Sequence, residues 1–302
     1  MSAVNIRKVE YGGWKNCVEV SNGIVDLIAT TDVGPRIIRF GLAGKENEFF
    51  ENKEQVGTTG GDEWKIYGGH RLWHSPENMP RTYQPDNSRV AWRKKKYGIV
   101  LSQPTEAWTQ LDKEIEIAMS PDSSRVTVSH RLTNRGAWDI ELSVWALSVM
   151  AAGGKEILPL NTRDTGLLPN GMLSLWPYTK LNDKRVQWGE SYILLSQDAK
   201  AETPFKIGLP VESGWVAYAN HGHLFVKQFE HVDGIDYPDY SASSYETYTN
   251  NVMLEMESLS PVVILGTDET CEHIETWSLY DGVKAPASEK DIKTNIVSLI
   301  GK

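Results

Sequence analysis

The chain has 302 residues, 40% of them hydrophobic, which is enough for a sizeable core in one large domain, and its two cysteines, Cys17 and Cys271, match no zinc or redox spacing. A net charge of −9 argues against a partner with a phosphate backbone, so no nucleic acid is expected. The start carries no apolar signal region and no stretch reaches 18 apolar residues, so the expectation is a cytoplasmic protein with no membrane partner.

Strand signals begin early. Residues 17–31 read as strand, Asn22-Gly23 turn, strand, a strong hairpin pattern, and 36–40 follow as a further strand after Gly34-Pro35. Residues 44–63 are polar and Gly-rich and read as loop. Residues 67–87 hold two His, two Arg, a Trp, a Glu and an Asp behind Gly68-Gly69, and Pro76, Pro80 and Pro85 rule out a continuous helix. That stretch is expected as an irregular loop at a strand end, displaying polar side chains. Strands are then expected at 89–94, 98–102, 105–111, 113–119, 124–133 and 138–150, the fourth and fifth alternating at period two. A long connection at 159–177 precedes strands at 191–196, 205–209, 214–219 and 222–229. An acidic loop at 232–244 leads to strands at 246–258, 262–265 and 273–279, and the tail is expected to hold a short helix. Many strands, no long amphipathic helix and no linker point to one all-β domain over 1–302, a large antiparallel sandwich or barrel.

Four groups of residues could carry chemistry. His70 and His74, four apart and near Glu77, have the residue types of a zinc site, but Arg71 stands where the zinc-protease pattern needs Glu and prolines break the segment. Hydrogen-bonding or acid roles suit these histidines better; no metal and no cofactor are expected. Glu255 and Glu257 point to one face of a strand, roughly 6 to 7 Å apart by strand rise, so their repulsion should raise one pKa. Asp239 lies in an acidic, tyrosine-rich loop suited to hydroxylated ligands. His273, Glu275 and Trp277 share a face; if that face is core, Glu275 needs a cationic partner, with an arginine as one candidate. Eleven tryptophans are mostly core, while a few, Trp73 among them, could stack on sugar rings.

In the same order along the chain, Gly23 to Phe40, Gly68-Gly-His-Arg71, the long strand to Met150 behind Leu132-Thr-Asn-Arg-Gly136, and Val252-Met-Leu-Glu-Met-Glu257 resemble the galactose mutarotase-like superfamily. The better-known relatives there are aldose 1-epimerases and glucose-6-phosphate 1-epimerases. The resemblance implies a β-supersandwich that binds a small carbohydrate, with Glu257 as general base and Glu255 as its alternative. It also implies sugar contacts at His70, Arg71 and His74, and at Asp183. One departure matters: the middle strand reads Ser143-Val-Trp-Ala-Leu147, without the catalytic His of the epimerases. Either His70 or His74 supplies the acid, or sugar is bound without turnover. A lyase or hydrolase using paired carboxylates is a third possibility.

Overall fold

A computed structural model of the chain describes residues 3–241 and 243–300. Its strands, in chain order, are β1 (Asn5–Tyr11), β2 (Trp14–Ser21), β3 (Val25–Thr30), β4 (Arg36–Leu42), β5 (Gly69–Ser75), β6 (Ala91–Lys95) and β7 (Gly98–Ser102). Then come β8 (Leu111–Met119), β9 (Val126–Asn134), β10 (Ile140–Met150), β11 (Lys155–Pro159), β12 (Ser174–Leu175), β13 (Val186–Trp188) and β14 (Tyr192–Ser196). The rest are β15 (Phe205–Leu209), β16 (Trp215–Asn220), β17 (His223–Phe229), β18 (Tyr245–Thr249), β19 (Leu254–Leu259), β20 (Val263–Leu265) and β21 (Thr270–Asp281). A helix, Glu289–Asn295, closes the chain behind a Ser288–Asp291 capping box.

Two antiparallel sheets result. One runs β1-β2-β3-β4-β5-β10-β19-β18-β15-β12, with β20 paired to β10; the other runs β13-β14-β11-β16-β17-β21-β9-β8-β7-β6. Alternation explains the outer strands: β8 and β9 bury every second residue, one face on the core and one toward water. The central strand β10 is instead buried continuously from Leu142 to Met150, because both of its faces are covered. Between the sheets lies an apolar core with Phe40, Phe49, Phe225 and Trp277 packed edge to face at its centre.

The hairpin at Asn22-Gly23 forms as its dipeptide requires: Gly23 sits at φ +83°, and Asn22 Oδ1 accepts from the amides of Ile24 and Val25. Three expectations need correction. Residues 105–110 are not strand: a turn at 107–109 is held by Glu106 and Thr109, and the strand begins at Leu111. The run 246–258 is two strands, β18 and β19, folded at 250–253, where Asn250 Oδ1 accepts from Val252 and Met253 amides. The first part of 67–87 is not loop: Gly69–Ser75 is β5, buried between β4 and β10, and the irregular chain starts after it. Gly68 and Gly69 make that entry possible, since a Cβ would lie 2.0 Å from the Phe50 carbonyl oxygen at Gly68 and 2.2 Å from that of Ile37 at Gly69.

Candidate functional site

The register of the first sheet gathers the site. Arg71, Leu147, Glu257 and Glu246 lie abreast on β5, β10, β19 and β18, and Trp73, Trp145 and Leu259 lie abreast one pleat away. Glu255 is two residues before Glu257, so period two places it on the same face; it is paired with Tyr248 on β18, which is paired with Lys206 on β15. Loops supply the remaining wall. The result is a cavity of about 440 Å³, with four tryptophans (Trp64, Trp73, Trp145, Trp176), three tyrosines (Tyr83, Tyr178, Tyr248) and the charged groups Arg71, Lys206, Glu77, Glu255 and Glu257 on its lining.

The charges are ordered. Arg71 Nη2 donates to Glu255 Oε1 at 2.9 Å, and its guanidinium lies 4.4 Å from the centre of the Trp73 ring. Glu246 and Glu257 face each other across the β18–β19 ladder, where two anions would repel. Lys206 bridges them, with Nζ 2.7 Å from Glu246 Oε2 and 3.1 Å from Glu257 Oε2, and stacks on Trp145 and Trp176. Trp145 Nε1 also donates to Glu257 Oε2 at 3.1 Å. Glu257 Oε1 is buried and has no hydrogen-bond partner among the described residues.

Burial pushes Glu257 up to about 7, against the pull of Lys206, and Glu255 adds to the rise. Burial likewise holds Glu246 well above the usual carboxylate range. Burial opposes the Lys206 ammonium, but Glu246 and Glu257 outweigh it and hold the lysine well above its ordinary value. A carboxyl group near neutrality with one oxygen pinned and the other free can take a proton from a ligand hydroxyl.

Of the sequence candidates, Glu257, Glu255, Arg71, Trp73 and Glu77 line the cavity, Glu77 at its exposed mouth with the Tyr83 hydroxyl as donor. His70 and His74 do not, which corrects the acid role expected of them. Being one residue off the Arg71–Trp73 alternation, they point into the interior between the sheets. Burial lowers both, His74 to about 2, so neither ring is charged at neutral pH.

Hydrogen bonding fixes the His70 tautomer. His130 Nδ1 must donate to the His273 carbonyl at 3.0 Å, so its Nε2 accepts from His70 Nε2 at 2.6 Å, and Ser148 Oγ donates to His70 Nδ1 at 2.8 Å. His70, His130 and Glu275 have ligand atoms within 4.8 Å of one another, yet two nitrogens on one tetrahedral zinc would stand about 3.3 Å apart. The 2.6 Å spacing is that of a hydrogen bond.

The other placements also correct expectations. Glu275 is interior, as the face shared with His273 and Trp277 allows, but its partner is Lys227 at 2.8 Å rather than an arginine. Ser258 Oγ and Trp277 Nε1 donate to it too, and although burial opposes its charge, Lys227 together with the surrounding groups holds it far below the usual range. Asp183 is tied to Arg185 at 2.8 Å, away from the cavity lining. Asp239 lies behind the wall, its carbonyl accepting from Ser174 Oγ and its carboxyl close to Glu246.

Lys206 is the main residue that sequence reasoning missed. Its signal was a lysine inside the apolar strand Phe205-Lys-Ile-Gly-Leu209, since a buried ammonium requires carboxylate partners. Trp64, Trp176 and Tyr178 carried no such signal, because connections bring them in.

No family model and no curated protein sequence matches the chain. Solved structures do. A galactose mutarotase-like protein from Clostridium acetobutylicum aligns with TM-score 0.55 at 11% identity, over 93% of this chain and 100% of that one. Another from Lactobacillus casei aligns with TM-score 0.55 at 8% identity, over 88% and 100%. A TPR-domain containing protein from Parabacteroides distasonis gives 0.58 at 11% identity over 90% of this chain, which spans about half of that protein (49%). The fold is therefore that of the galactose mutarotase-like sandwiches.

Proposed function

We propose that the cavity binds a small carbohydrate and that Glu257 takes the proton of a sugar hydroxyl, the base half of a 1-epimerase. One observation carries this reading: Glu257 is among the residues lining a cavity rich in indoles, its Oε2 held by Lys206 and Trp145 and its buried Oε1 without a hydrogen-bond partner among the described residues. Flat indole faces suit sugar C–H faces, and Arg71, Glu255 and Glu77 offer partners to hydroxyls. Ring opening also needs a proton at the ring oxygen. The hydroxyls of Tyr178 and Tyr83 and the Lys206 ammonium line the cavity, and all three are held above their ordinary pKa values, which makes them weak acids near neutrality. A base acting with such donors supports an acceleration of about 10²- to 10⁴-fold.

Sugar binding without turnover is the second reading, and the observation favouring it is that His70 and His74 face away from the cavity. Tryptophan fluorescence during titration with aldoses tests binding, because four indoles line the cavity. Anomer exchange followed by NMR tests turnover on the same sugars. Quenching with faster exchange supports the epimerase. Quenching with unchanged exchange supports binding alone, and no response to any sugar removes both readings.

A further inference from the structure

The cavity gathers more carboxyl groups than cations. Two cations, Arg71 and Lys206, meet four carboxylates: Glu77, Glu255 and Glu257 on the lining, and Glu246 against Lys206. Each cation has a near partner, Glu255 at 2.9 Å for Arg71 and Glu246 at 2.7 Å for Lys206. Glu257 shares Lys206 at the longer distance of 3.1 Å, and its Oε1 is buried without a hydrogen-bond partner among the described residues. Glu77, at the mouth, has the neutral Tyr83 hydroxyl as donor.

Around this surplus stand seven aromatic rings, whose faces are themselves negative. Uncompensated carboxylates and ring faces both favour a cation, and an acidic or phosphorylated sugar would add to the surplus. The guanidinium that could receive such an anion gives Nη2 to Glu255 and lies 4.4 Å from the Trp73 ring centre, and its Nε and Nη1 are buried without a hydrogen-bond partner among the described residues.

We propose that the sugar this cavity takes carries an ammonium group: a free, unacylated amino sugar, its ring on the indoles and its charge drawn to Glu257 and Glu77. The proposal rests on the carbohydrate reading above and names the ligand class. It also predicts proton release. Glu257 is surrounded by Arg71 of β5, Lys206 of β15, Glu246 and Tyr248 of β18 and Glu255 of its own strand, with Tyr178 from the connection and Lys227, Glu156 and Tyr245 behind the sheet. Burial raises Glu257 to about 7 and Glu246 well above the usual carboxylate range. A bound ammonium would favour their ionised forms, so affinity should rise with pH through about 7 until the amine itself loses its proton.

The test is calorimetric titration of the intact chain at pH 7 and low salt. The ligands are the free amino sugar, the N-acetyl amino sugar, the neutral parent and the uronate, each in the gluco, galacto and manno series, with choline as a cation lacking the ring. In one series the amino sugar should bind about tenfold tighter than the neutral parent and the N-acetyl form. That preference should shrink in high salt and in Glu77→Gln. Equal or tighter binding of the neutral parent or the uronate overturns the charge inference and leaves the carbohydrate reading standing. Choline binding tighter than any amino sugar overturns the proposal in favour of a quaternary ammonium ligand. No binding by any sugar overturns the proposal together with the carbohydrate reading.

Discussion

Charged groups lie on both sides of the first sheet, between the two sheets and in the cavity, and the two sides handle charge in opposite ways. On the interior face, Glu275 receives Lys227, Ser258 and Trp277, and the linked histidines His70 and His130 are neutral and hydrogen-bonded end to end. On the cavity face, Lys206 is shared between two carboxylates, and Glu257 keeps one oxygen without a hydrogen-bond partner among the described residues. β5 and β19 reach both sides one residue out of phase, through His70 and Ser258 on the interior, while Lys227, Glu275, Trp277 and His130 come from β17, β21 and β9 of the second sheet. A closed network stabilises the fold; an open one beside a cavity has capacity left for a ligand.

The largest effect should come from breaking the closed side. Lys227→Met leaves Glu275 buried without its cation and should cost about 3–5 kcal/mol in urea unfolding. The matching change on the cavity face, Lys206→Met, should cost about 1–2 kcal/mol, because burial already raises Glu246 and Glu257 and eases their protonation once the cation is gone. Equal costs would remove the contrast between the faces.

Stability against pH sharpens it further. Burial lowers His70, His74, His130 and His273, so the unfolded chain binds protons below pH 6.5 that the folded chain refuses, and their contribution is lost as pH falls. Glu48, Glu156 and Glu257 are raised to about 7, 8 and 7, so their contribution is complete below about 4.5 and is lost as pH rises toward 8. Each group contributes a slope of about 1.4 kcal/mol per pH unit. Between 4.5 and 6.5 four histidines oppose three carboxyls, which leaves a net rise of about 1.4 kcal/mol per pH unit. Below 4.5 the histidines act unopposed and Glu275 adds to the loss. Thermal unfolding should therefore show a maximum near pH 6.5, a gentle decline to pH 8 and a steep one below 4.5. A maximum at pH 9 would contradict the buried carboxyls.

The smallest effect is also informative. His74 is fully buried, with neither ring nitrogen hydrogen-bonded among the described residues. His74→Leu should change stability by less than about 1 kcal/mol and leave sugar binding and exchange unchanged. Loss of exchange in that variant would return the acid role to this histidine.

How much of this was legible follows from which signals are local. Alternation at Leu111–Met119 and Val126–Asn134 and the Asn22-Gly23 turn are local, and they formed where expected. Glu255 and Glu257 were legible as a same-face pair for the same reason. The side of β5 was not, because a buried strand with charges on both faces gives no polar-apolar alternation from which to choose a face. His70 and Arg71 therefore looked like neighbours in one site, while the pleat sends them to opposite sides of the sheet. Asp183 and Asp239 were misplaced because their partners, Arg185 and Glu246, are set by loop geometry that sequence spacing does not encode.

The most direct test of the account is the anomer exchange rate measured by NMR from pH 5.5 to 8.5, for wild type and Glu257→Gln side by side, on a sugar shown to bind. The account predicts that wild-type exchange above the buffer rate grows as Glu257 ionises, with a midpoint near pH 7, and that Glu257→Gln shows only the buffer rate at every pH while still binding. Exchange that persists unchanged in Glu257→Gln, or that is absent in wild type despite saturation, would contradict it.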